Sequence, residues 1–196
     1  WSNCYPDDNR PAGARSVTEL DPQEDNNAET DTNSVKTGDQ TMYEVPISNS
    51  RGQTVLHPNR DQYLDTIKKL SEDGYKVCID VTAVDYLENP QRDIPNSISP
   101  ERFEVVINLL SHQKKERLRL RIQVPESDPV ISSIFDFYPG SEALEREVYD
   151  LFGIEFEGHP DPTRILMPEN WNGHPLRKDY DAGAIPVQFK NAPGAG

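Results

Sequence analysis

Two neighbouring segments narrow the fold of this chain more than any other feature. Phe103, Val105, Ile107 and Leu109 fall on every second residue of 102–110, and Leu118, Leu120, Ile122 and Val124 do the same in 117–124. A period of two puts one set of side chains on one face of a strand and the interleaved set on the other. The polar link 111–116 suits a reversal, so the pair predicts an antiparallel hairpin with one apolar and one polar face. The polar face carries Arg117, Arg119 and Arg121. Such a row is expected to be a solvated sheet face; an acidic partner is the alternative, and nucleic acid ranks third. The formal net charge of −14 works against nucleic acid, because an acidic chain repels a phosphate backbone. An anionic membrane surface offers it no electrostatic gain either.

Upstream, Asn59 with Gln62 three residues later resembles a capping box. Tyr63, Ile67 and Leu70, with Leu64 beside them, then recur at helical spacing, and Gly74 supplies a left-handed end. A helix is therefore expected over 60–73. Residues 75–84 alternate Val77, Ile79 and Val81 and predict a strand, and 88–100 form a polar, proline-rich loop. The apolar run 130–138 fits a strand or a short helix. After Gly140, the stripe Leu144, Val148 and Leu151 predicts a helix ended by Gly153, with Glu142–Arg146 and Arg146–Asp150 as i,i+4 pairs. The sum is an α+β class: a mixed sheet flanked by helices.

The two ends differ from this body. Residues 1–50 hold ten acidic side chains against three basic ones, half of the chain's excess charge, and show no sustained periodicity. They are expected to be a largely irregular or disordered acidic arm, or one that orders on a partner through Trp1, Tyr5 and Tyr43. The body is expected over 51–157. Residues 158–196 are punctuated by Pro160, Pro162, Pro168, Pro175, Pro186 and Pro193, which exclude long helices and central strands. Yet Ile165, Leu166, Trp171, Leu176, Tyr180, Val187 and Phe189 are costly to leave in water. The expectation is an extended tail that packs on another polypeptide. Hydrophobic residues make up 34% of the chain, under the roughly 45–50% of an ordinary domain, which agrees with part of it building no core.

Cys4 and Cys78 are too few for a disulfide framework or an iron–sulfur cluster. No apolar run is long enough to span a bilayer, and no cationic-then-apolar start resembles a signal peptide. Trp1 stands where Met is expected, as at a trimmed or partly observed terminus. The class expected is soluble, intracellular and reducing. Neither a G-x-G-x-x-G turn nor a P-loop occurs, and no serine sits in a recognisable elbow. Glu145 and Glu147, two apart on a helix, point away from each other and make a poor acid–base pair. His159 and His174 each sit in a Gly-His-Pro unit; with Asp161 or Asp179 they form a conceivable zinc site, and hence a metal-dependent hydrolase. The proline after each histidine favours rigid turns instead. An acidic adaptor outside any respiratory complex is a third reading.

From Glu145 onward the chain reads Glu-Arg-Glu-Val-Tyr-Asp-Leu-Phe-Gly-Ile-Glu-Phe, then Gly-His-Pro at 158–160 and Arg-Ile-Leu at 164–166. Trp171 and Gly-His-Pro-Leu-Arg-Lys-Asp-Tyr at 173–180 follow. Over about 141–182 this order and spacing resembles the thirty-kilodalton subunit of respiratory complex I, the NADH:quinone oxidoreductase. The resemblance implies an α+β domain with an extended C-terminal tail and no redox centre of its own. NADH, FMN, iron–sulfur clusters and quinone would be bound by partner subunits in a hetero-oligomer. The chain would lie against the large quinone-site subunit, near an iron–sulfur subunit, in the peripheral arm of a proton-translocating enzyme. It would then face the cytoplasmic side of the inner or plasma membrane (the matrix side in a mitochondrion) and meet the membrane only through partners. Related membrane hydrogenases, deazaflavin-linked dehydrogenases and the photosynthetic form of the complex carry similar subunits. The interface residues implied are Glu145, Arg146, Glu147, Asp150, His159, Arg164, Trp171, His174, Arg177, Lys178, Tyr180 and Phe189. Glu145, Arg146, Glu147 and Asp150 are expected to lock the last helix to the tail and to a neighbouring subunit, and Arg164, Arg177 and Lys178 to pair with acids across interfaces. Two departures stand out: Thr163 replaces a second arginine before Arg-Ile-Leu, and 141–144 lacks the usual Asn-aromatic pair.

Overall fold

The computed structural model describes residues 40–181. Its centre is the expected hairpin, β5 (Phe103–Ser111) and β6 (Glu116–Val124). The register sets Phe103 opposite Val124, Val105 opposite Ile122, Ile107 opposite Leu120 and Leu109 opposite Leu118. All eight are buried. Each such burial contributes about 1.5–3 kcal/mol, so alternation alone organises this part of the molecule.

Strand β4 (Val77–Asp85) pairs antiparallel with β5, but the register shifts between Cys78 and Asp80. The extra residue, Ile79, is pushed outward and stays 43% exposed, whereas the expected alternation buried it. One inserted residue restarts the period, so Cys78 before the bulge and Val81, Ala83 and Asp85 after it turn toward the core. On the other side of β6 lies β3 (Gln53–Leu56), parallel to it, then β2 (Val45–Ser50) and β1 (Thr41–Met42). The six-stranded sheet thus has the order β1-β2-β3-β6-β5-β4, mixed as expected. Its last strands correct the expected boundary at residue 50: 41–50 belong to the sheet, and Val45 is in the core. Trp1 and Tyr5 lie outside the described residues. Tyr43 packs at the core's edge and donates a hydrogen bond to Asp73, while Glu44 pairs with Lys69 at 2.6 Å.

Helix α1 is Tyr63–Glu72, shorter than expected. Asn59 makes no side-chain cap; the Gln62 amide donates to its carbonyl, so 59–62 form a turn, which Arg60 ties to Asp128 at 2.8 Å. Helix α2, Glu142–Phe152, follows a 3-10 turn at Pro139–Ser141 and ends at Gly153, φ +70°, as its sequence predicts. The run 130–138 becomes strand β7 (Val130–Ser132) and a turn; β7 pairs parallel with β8 (Glu155–Glu157). Buried side chains of both helices join one core cluster with the apolar face of the sheet.

The opposite face is not the open row of arginines expected. Buried Glu104 accepts from Arg121 at 2.7 and 3.1 Å and from Gln123 at 2.6 Å. Arg121 also donates to the Asp93 carbonyl, and Arg92 stacks on Tyr86 at 3.9 Å, so the loop after β4 roofs this end of the face. Arg117 alone of the three stays exposed.

Candidate subunit interface: a strap docked on the second helix

The last carbonyls of a helix have no partner within it and must find one elsewhere. In α2 and at its Gly153 cap they find the tail. His174 Nδ1 lies 3.0 Å from the Asp150 carbonyl, and the Leu176 amide donates to Leu151 at 3.0 Å. Arg177 donates to the Phe152 carbonyl at 2.5 Å and to Gly153 at 3.3 Å. A guanidinium there also meets the negative end of the helix dipole. The second Gly-His-Pro unit and the Leu-Arg that follows it are therefore a C-terminal cap supplied from about 25 residues downstream.

Asp150 performs the reciprocal task. Its buried carboxylate accepts from the amides of Ile165, Leu166 and Met167 at 3.1, 2.7 and 2.8 Å, and from Arg164 at 2.7 Å. Burial pushes this carboxyl's pKa up, but the three amides and the guanidinium outweigh it, and Asp150 sits below the usual carboxylate range. Arg164 also reaches the Gly173 carbonyl at 3.1 Å, joining the two limbs of the strap. His174 is held below its ordinary pKa by burial first, with Arg177 and Arg164 adding to the effect.

Two glycines make the close approach possible. A Cβ on Gly153 would stand 2.5 Å from His174 Nε2, and one on Gly173 would stand 2.8 Å from the Tyr180 ring, both at positive φ. Farther along, the Lys178 amide donates to Asp85 at 2.9 Å. Asp179 joins Asp85 and Glu126 around Arg102, whose own bond to Asp85 is 2.9 Å. Arg177 and Arg102 lie over the Phe103 ring at 5.1 and 4.9 Å.

Within the chain Arg164 pairs with Asp150, Arg177 donates to the Phe152 carbonyl, and the Lys178 amide donates to Asp85. The described tail lies against its own α2 and sheet. Arg146 does not pair with Asp150. It donates to the Thr163 carbonyl and hydroxyl at 3.0 and 2.9 Å and to the Arg164 carbonyl, and it keeps the expected pair with Glu142 at 3.3 Å. Thr163, the departure from the family motif, is thus part of the lock. Glu145 binds α2 to the preceding turn, accepting from Ser133 at 2.5 Å, the Ile134 amide at 2.9 Å and Ser141 at 3.0 Å; burial raises its pKa. Glu147 is exposed, so the two carboxylates do point apart. Trp171 and Tyr180 are half-buried in the strap, and Phe189 lies outside the described residues.

The histidines do not converge on a metal. His159 Nε2 meets the Glu142 carbonyl at 3.0 Å and Nδ1 accepts from the Asp161 amide, so both ring nitrogens are occupied by backbone. His174 attaches near the other end of α2. Residues absent from the expected site are Asp85, Arg102, Phe103 and Gly153. Of these, Asp85 carried a signal: an acid in the core-facing register of Val81 and Ala83.

What the strap leaves outward is apolar. Ile165, Leu166 and Leu176 are 40%, 59% and 47% exposed, although the backbone beneath them is tied down.

A family model described as respiratory-chain NADH dehydrogenase, 30 Kd subunit, matches residues 56–185. The chain belongs to this family. The part that matches the 30 Kd subunit model starts at the end of β3 and takes in the entire described strap, while β1 and β2 lie outside it. The corresponding NADH-quinone oxidoreductase subunit from Saccharopolyspora erythraea is 39% identical over 151 residues, 76% of this chain and 57% of that protein. Its counterpart from Nocardioides is 41% identical over 143 residues, 71% of this chain and 54% of its own. The chain therefore spans little more than half the length of these curated relatives. Among solved structures, a trypsin-resistant fragment of Nqo5 superposes with a TM-score of 0.54 at 36% identity, covering 60% of this chain and 89% of the fragment.

Proposed function

We propose that this member of the 30 Kd subunit family is a cofactor-free structural subunit in the peripheral arm of an NADH:quinone oxidoreductase. It bridges the large quinone-site subunit and a neighbouring iron–sulfur subunit, while partners hold the NADH, FMN, clusters and quinone. The observation that carries the reading is the strap. Its backbone is fixed by Asp150 and by the carbonyls of α2, yet Ile165, Leu166 and Leu176 are presented outward. A pre-ordered apolar patch binds at lower entropic cost than a free tail, which is what a permanent interface needs. In this reading the chain lies at the cytoplasmic face of the membrane, held there by its partners; no helix among the described residues is long and apolar enough to cross a membrane.

The test is to tag the full chain in its own cells, solubilise the membranes gently, and follow NADH:quinone activity through the purification. Activity should track with the tag. Arg177→Ala removes the cap that seats the strap, and should lower assembled complex by at least about tenfold, as losing roughly 1.4 kcal/mol or more of docking does. Turnover per assembled complex should stay nearly unchanged. A large loss of turnover in fully assembled complex would assign the chain a catalytic role instead.

A further inference from the structure

We propose that the groove between α2 and β8 is a second docking site, which takes an arginine side chain borne on an extended segment of a partner polypeptide. This rests on the reading of the chain as a structural subunit but concerns a different surface from the Leu166 patch. The groove encloses about 460 Å³, with Tyr149 and Pro162 among its walls and Glu155 and Glu157 at its strand side.

Most charged groups here are already spent. Arg146 is held by Glu142, Asp161 and two strap carbonyls, His159 by two backbone groups, and Glu145 by Ser133, Ser141 and the Ile134 amide. Glu155 and Glu157 differ: both are exposed, and neither has an ion-pair partner among the described residues. Two apart on a strand, they share its outward face while Phe156 between them enters the core.

Their number selects the ligand. Two exposed carboxylates are far fewer than the roughly six to eight oxygen ligands a calcium ion collects, and no group of three metal-ligating side chains occurs among the described residues. Two uncompensated negative charges repel an anion. A guanidinium suits them, because its planar fork offers five donors in fixed directions and can engage both carboxylates. Its aliphatic stem and flat face need apolar and aromatic walls, which Pro162 and Tyr149 provide. Among the described residues the sheet of β7 and β8 holds just these two strands, and at the outer edge of β8 the Phe156 carbonyl accepts from the His159 amide at 3.1 Å. The groove is therefore entered by a side chain rather than by strand pairing, and an extended segment, whose side chains project away from its backbone, can fill it with an arginine.

The experiment uses the full chain in its native membrane complex, with a photoreactive phenylalanine derivative in place of Tyr149 and, as a control, in place of exposed His112. The expected result is a cross-link from position 149 to one partner, at a peptide containing arginine. Combining the probe with Glu155→Gln and Glu157→Gln should cut the yield per copurified complex about tenfold, as loss of two charge-assisted contacts does. A yield at 149 no higher than the His112 control overturns the proposal. So does a cross-linked peptide without arginine, or a yield indifferent to the two glutamines. If the tagged chain instead copurifies with a complex lacking NADH dehydrogenase activity, the proposed function fails while the cross-link still judges the groove.

Discussion

The β5–β6 hairpin and the strap are both extended, but they are held by different physics. In the hairpin, four facing pairs of apolar side chains leave water, and the network of Glu104, Arg121 and Gln123 closes over the other face. In the described strap the large aliphatics face outward, and order comes from polar groups that would otherwise be orphaned: the last carbonyls of α2, the Asp150 carboxylate and three successive amides. Apolar burial is spread over many contacts and degrades gradually. A polar lock concentrates its effect in a few atoms. The strap should thus be far more sensitive to single polar substitutions, and the hairpin to truncation of its aliphatic residues.

The sharpest way to break this contrast is Asp150→Ala. It strands a largely buried Arg164 and three amides together, and should destabilise strap docking by about 3–5 kcal/mol. Rapid trypsin cleavage after Arg164, Arg177 and Lys178, with β5–β6 intact, is the expected readout. Leu120→Ala should do the converse. It costs about 3 kcal/mol in global urea unfolding, and the strap loosens only with the whole body. If both substitutions unfold the molecule as one unit, the two regions are not distinct.

A smaller effect tests the close approach. Gly153→Ala places a methyl against His174 at a left-handed position and should weaken docking by roughly 1–2 kcal/mol, visible as faster cleavage at Arg177. The smallest effect is a pH dependence. His174 is docked in its neutral form, with its pKa depressed below the value of about 6.5 expected for the free strap. As pH falls below that value the undocked strap gains a proton that the docked one refuses, so docking weakens. In a Trp1→Phe background, Trp171 emission should shift red between pH 7 and 5, and His174→Gln should abolish the shift.

The same contrast explains what was legible beforehand. The hairpin and α2, with its Gly153 terminus, follow from periodicity and one conformational preference. The bulge at Ile79 does not, because a single inserted residue resets a period-two pattern without altering its composition. Strands β1 and β2 were hidden by Pro46, Ser48, Asn49 and Ser50, whose polarity suits an edge but dilutes the signal. The Glu145–Tyr180 motifs named most of the strap's important side chains. They could not name the partners, because Asp150 and Arg177 bond chiefly to backbone atoms, and Arg146 in part, and every residue possesses those atoms. The tail's aliphatic content suggested a foreign surface, whereas its polar groups first dock it at home.

Amide hydrogen exchange on the isolated full chain tests that order of events most directly. With the strap docked on α2 before any partner binds, the amides of Leu166, Met167 and Leu176 should exchange at least about 100-fold slower than free peptide. Asp150→Ala should erase the protection at Leu166 and Met167. Exchange at the free-peptide rate in the unsubstituted chain, with protection appearing only in the assembled complex, would contradict the account.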